Sequence, residues 1–183
     1  MRKFNAMLTS AIMVLFLVHA VAGGFQLAGW LPGGSAVLKI AAWTMTALIA
    51  VHTVIGIKLT ADTLRAIKSS GASYYKENRL FWLRRISGFA VMLFLITHVL
   101  IFVGQGEGSS YRLSLFEGAQ LASQLLLVLS LALHIISNVK PAMLSFGIKS
   151  YKELGLDLLV VLSVLLLLMG GAFVVYYLRW NVF

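Results

Sequence analysis

Four histidines, His19, His52, His98 and His134, stand out in a sequence that otherwise carries few groups able to do chemistry. The 183 residues include no cysteine, which excludes disulfides, thiolate catalysis and cysteine-ligated iron–sulfur clusters. The six acidic residues lie outside the long apolar runs or at their edges, so no carboxylate cluster is at hand for a hard cation. Imidazole binds transition metals and iron, and it also serves as a plain hydrogen-bonding group between helices. One histidine in an apolar segment fits either use. Four of them, each on a different apolar segment, favour ligation, because ionisable groups inside a membrane are costly and usually functional.

The segments that carry them are long. Hydrophobic residues make up 60% of the chain and charged ones 11%, against about a quarter charged in soluble domains. Lipid is therefore the expected solvent. Runs of about 20 apolar residues, enough to cross a bilayer, are expected at 7–30, 37–57, 86–103, 119–139 and 156–178. Pro32, Gly33 and Gly34 separate the first two, residues 104–110 turn after the third, and Pro141 is expected to stop the fourth. The first run, with Ala20-Val21-Ala22 behind a basic start, imitates a secretory signal. Its apolar character continues through Phe25, Leu27 and Trp30, so it is read as a retained helix. The expected fold is an all-α integral membrane protein of five transmembrane helices, the first four forming a bundle, with residues 1–183 as one transmembrane domain.

Lys and Arg set the orientation. Arg2 and Lys3 precede the first helix. Lys58, Arg65, Lys68, Lys76, Arg79, Arg84 and Arg85 fall between the second and third, and Lys140, Lys149 and Lys152 between the fourth and fifth. The opposite connections hold Lys39 and Arg112, with Arg179 near the C-terminus. The expected topology puts the N-terminus in the cytoplasm and the C-terminus outside, in a multi-pass protein of the cytoplasmic (inner) membrane. The net charge of +9 then reflects topology and contact with anionic lipid or a partner subunit, not nucleic acid. The long loop expected between the second and third helices includes Tyr74, Tyr75, Lys76, Glu77, Phe81 and Trp82. It suits either an aromatic belt at the lipid edge or docking of a cytoplasmic partner.

Depth sorts the histidines. At a rise of ~1.5 Å per residue, His52 and His134 lie about 8 Å from the cytoplasmic ends of their helices near Lys58 and Lys140. His19 and His98 lie roughly 17–21 Å from the cytoplasmic starts of theirs. Two levels with two imidazoles each are what two six-coordinate haems require. The expected axial pairs are His52 with His134, nearer the cytoplasm, and His19 with His98. Two imidazoles per layer with almost no carboxylate argue against a bare metal site. Gly23 and Gly56, four residues after His19 and His52, would let a flat macrocycle approach the backbone. The same glycines also suit ordinary helix packing. Arg84, Arg85, Lys58 and Lys140 are candidates to neutralise propionates, and positive-inside bias alone would also place them.

Five spans with a histidine on each of the first four resemble the cytochrome b membrane anchor of succinate:quinone oxidoreductases and quinol:fumarate reductases, in the class with one large anchor and two haems. The segment Asn78-Arg79-Leu80-Phe81-Trp82-Leu83-Arg84-Arg85-Ile86-Ser87-Gly88 looks like that family's lead into the helix bearing His98. The resemblance implies two haem b groups, the proximal on His52 and His134 and the distal on His19 and His98. It implies electron transfer between a membrane quinone, expected to be menaquinone, and a cytoplasmic flavoprotein and iron–sulfur subunit acting on succinate or fumarate. This chain would not itself touch the dicarboxylate. Arg85 and Ser87 match an Arg-x-Ser-Gly pattern that could contact a quinone, and they equally suit positive-inside charge and helix capping. One departure stands out. The connection at 26–36 has no acid where some members carry one, and Glu107 and Glu117 are the nearest substitutes. Two other readings stay open: a two-haem anchor for another dehydrogenase, such as a formate dehydrogenase or hydrogenase, and a transporter or assembly protein with structural histidines.

Overall fold

In lipid a backbone must satisfy its own polar groups, which leaves helices as the natural form for apolar runs of this length. The computed structural model describes residues 2–70, 78–103, 113, 115–148 and 151–181. They form five helices: α1 (Arg2–Leu27), α2 (Ala36–Ser70), α3 (Arg79–Phe102), α4 (Gly118–Ser145) and α5 (Tyr151–Asn181). All five are long and apolar enough to cross a membrane. Large apolar side chains such as Phe89, Leu100 and Leu167 point outward, as a protein solvated by lipid requires. Tyr74, Tyr75, Lys76 and Glu77 of the loop, together with Glu107, Arg112 and Lys149, lie outside the described residues.

The helices run past most of the expected bounds, α3 starting at Arg79 and not near Ile86, and two of the differences carry most consequence. The second helix does not end near Ile57; α2 has 35 residues, about 52 Å at the helical rise, against a hydrocarbon core of about 30 Å. Its last turns carry Lys58, Arg65 and Lys68 on helix, so most of the expected long loop is helical. Asp62 and Arg65 pair there at 3.7 Å in solvent, where such a pair contributes little.

The second correction concerns Pro141, which does not stop the fourth helix. It lies inside α4, which runs on to Ser145. Proline has no N–H, so the carbonyl of Ser137, four residues earlier, loses its helical donor. Arg84 on α3 replaces it, its Nε donating to that carbonyl at 2.8 Å. A cross-helix hydrogen bond thus takes over where the helix's own ladder is broken.

α1 packs on α2 and α5 and touches α4, while α4 packs between α3 and α5. α2 and α3 approach without close packing. Thr53 donates to the Met92 sulfur at 3.2 Å. Beside that contact is an apolar cavity of about 240 Å³ lined by Thr46, Ile49 and Ala50 from α2 and Met92, Leu95 and Val99 from α3. The end of the bundle away from most basic residues is closed by a buried cluster of Leu27, Leu113, Phe116, Phe173 and Tyr176. The Tyr176 hydroxyl accepts the Leu113 N–H at 2.6 Å. Gly29 ends α1 with φ +80, where a Cβ would overlap the Arg179 guanidinium. Arg179 donates to the Ala28 carbonyl at 3.2 Å and so caps the negative end of α1. Glu117 and Gln120 form a capping box at the start of α4, the Glu117 N–H donating to Gln120 at 3.1 Å.

Candidate functional site

Each of the first four helices contributes one half-buried imidazole to the interior of the bundle. His52 on α2 and His134 on α4 stand with ring centres 6.5 Å apart and planes at 83°. His19 on α1 and His98 on α3 stand 6.0 Å apart at 80°. These are the two pairs that counting residues from the helix ends brings to common levels. The levels are well separated, about 15 Å along α4 from Gln124, beside His98, to His134.

Three of the four rings have a hydrogen-bond partner at Nδ1. His98 Nδ1–H donates to Gln124 Oε1 at 2.7 Å, and Gln124 is fully buried. His52 Nδ1–H donates to Asn5 Oδ1 at 3.0 Å. His134 Nδ1 lies 3.3 Å from Ser87 Oγ. That hydroxyl donates to the Arg84 carbonyl, also at 3.3 Å, which leaves its oxygen to accept the imidazole N–H. In all three rings a proton fixed on Nδ1 leaves the Nε2 lone pair available for a ligand. This is the arrangement by which outer-shell acceptors orient metal-bound imidazoles. Gly88 adds a spatial condition, since a Cβ there would come within 3.0 Å of His134 Cε1.

The His19–His98 pair is enclosed by aromatic groups. Phe102 lies 4.7 Å from His98 by ring centres, and Phe173 of α5 lies 6.5 Å away, edge-on. α5 has no histidine, yet it closes this level.

Two observations test whether a planar iron cofactor fits. Two imidazoles on opposite sides of one metal, with bonds of about 2 Å, place their ring centres roughly 6 Å apart, close to both observed separations. A Cβ built at Gly23 or Gly56 meets no atom within 4 Å, so there is room beside the helices next to His19 and His52. No group of three or more His, Cys, Asp or Glu converges among the described residues. The donors come in twos.

The remaining candidates are placed differently from one another. Arg84 is engaged with Ser137, and Arg85 lies over the Phe81 ring at 5.0 Å. Ser87 is buried against His134. Lys58 is exposed, and Lys140 lies at the rim of a groove between α4 and α5. Sequence reasoning passed over Asn5, Gln124 and Phe173. Gln124 had a readable signal: unlike Gln120 and Asn138 at the ends of the same apolar run, it is an amide in the run's interior, ten residues before His134, which is the depth of His98. No family model, curated protein or solved structure matches the chain.

Proposed function

We propose that this chain is a two-haem b-type cytochrome, the membrane anchor of a respiratory dehydrogenase. It would pass electrons between a membrane quinone and a flavoprotein and iron–sulfur partner on the cytoplasmic side. The reading is supported above all by the two imidazole pairs, at two levels, with three of the four rings fixed through Nδ1 by Asn5, Gln124 and Ser87. Histidines serving only to join helices have no need to face one another across two diagonals of a bundle.

On this reading His52 and His134 hold one haem and His19 and His98 the other, and each haem supplies a one-electron couple when bound. The chain's own residues do the rest. Asn5, Gln124 and Ser87 hold a proton on Nδ1 and keep each ring turned toward its partner. Phe102, Phe173 and Phe116 exclude water from the outer level, which raises the cost of changing charge there. Succinate or fumarate as the partner's substrate, menaquinone as the quinone and the cytoplasmic membrane as the location follow from the resemblance and the Lys/Arg bias.

The test is pyridine haemochrome quantification of the purified chain alongside a reduced-minus-oxidised spectrum. The expected result is two haems per chain with low-spin bands. A ratio of one, or no haem bands, overturns the reading.

A further inference from the structure

The face between α4 and α5 at the basic end joins two lysines to an apolar groove. Ile136, Val139 and Lys140 form one stripe of α4, at spacings of three and one. Lys152, Gly155, Leu156 and Leu159 form the facing stripe of α5, at spacings that keep one helix face. Together they enclose a groove of about 220 Å³. The helices run in opposite directions, so Lys140 and Lys152 lie at the same end of the groove. Ile136 and Leu159 lie farther in, Leu159 about 10 Å from Lys152 along the axis. Gly155 forms the floor, where a Cβ would come within 3.2 Å of the Met143 sulfur.

We propose that this groove binds one anionic phospholipid, its phosphate between Lys140 and Lys152 and one acyl chain laid inward along Ile136 and Leu159. The occupant follows from the match of polarity. A molecule that reaches this face from the bilayer, is negative at the interface and is apolar for about 10 Å below it is a phospholipid. Two ammonium groups select an anionic headgroup over a zwitterionic one, as basic pockets between transmembrane helices do. A partner protein could supply a carboxylate but not an acyl chain continuous with it.

Native mass spectrometry of the full-length protein in detergent, titrated with dioleoyl phosphatidylglycerol or dioleoyl phosphatidylcholine, tests this. One phosphatidylglycerol should be retained preferentially. The variant K140Q/K152Q should bind it about thirtyfold more weakly, at about fivefold per lysine. K140R/K152R should keep it, which separates loss of charge from loss of fold. The control K58Q/K68Q, on the basic end of α2, should bind like the native chain. Equal binding of the two lipids, or unchanged binding by K140Q/K152Q, overturns the proposal. Equal weakening by K58Q/K68Q overturns it as well, because the attraction would then be diffuse surface charge. Inorganic phosphate at matched concentration should not displace the lipid; if it does, the acyl groove has no part in binding.

Discussion

At the scale of single residues, the assignment of each imidazole to a level makes separable predictions. On the two-haem proposal, replacing His52 or His134 by alanine should perturb one redox component, and replacing His19 or His98 the other, because the rings face one another in those pairs. Potentiometric titration of the four variants checks this. If His52 and His19 variants lose the same component, the pairing is wrong. Gln124 offers a finer probe. Its oxygen accepts the His98 Nδ1 proton in a fully buried setting; on the two-haem proposal this would make the ring a better donor to iron and favour the oxidised state. Gln124→Leu should raise the midpoint potential of the outer component by on the order of 60 mV, the one-electron equivalent of a tenfold differential. It should leave the inner component unmoved. A shift confined to the inner component would mean that Gln124 serves the other level.

Among the elements, the join between α3 and α4 is the most informative. Arg84 donates to the Ser137 carbonyl, the one that Pro141 leaves without a helical N–H. Arg84→Met should cost about 1–3 kcal/mol by leaving that carbonyl unsatisfied. In a Pro141→Ala background the residue 141 N–H can return to Ser137, so the same change should cost much less. A double-mutant cycle on detergent-solubilised protein reads the coupling, expected at about 0.5–3 kcal/mol. Additive effects would show that the guanidinium does not compensate for the proline. The same contact bears on the site, since the Arg84 carbonyl also accepts the Ser87 hydroxyl that braces His134. If the proposed haem is held there, disturbing the join should shift the His52–His134 component in Arg84→Met more than in the double variant.

For the whole molecule, the distribution of charge is the feature to test. Lys3, Lys58, Arg65, Lys68, Arg79, Arg84, Arg85, Lys140 and Lys152 lie toward one end of the bundle, and Lys39 and Arg179 toward the other. On the positive-inside rule the first end is the one expected in the cytoplasm. The absence of cysteine makes the measurement clean, because any introduced thiol is unique. Ser35→Cys, in the α1–α2 connection, should react with an impermeant maleimide in intact cells. Ser69→Cys, at the end of α2, should react only after permeabilisation. The reverse pattern would invert the protein in its membrane.

Depth along a helix is a local quantity, a fixed rise per residue counted from a boundary that apolar character marks. Five spans, four histidines at two levels and a single basic end were therefore legible in the sequence. Azimuth and contact are not local. Which neighbour accepts each Nδ1 proton depends on how α1, α3 and α4 are turned toward one another, so Asn5 and Gln124 emerged as partners only in the folded bundle. The same holds for Ser87, read from its motif as a quinone contact or cap and found against His134. Pro141 was read as a stop by the rule that governs an isolated helix. The tertiary structure let the helix continue, because a neighbouring helix could bring a guanidinium to the one carbonyl that proline leaves without a donor.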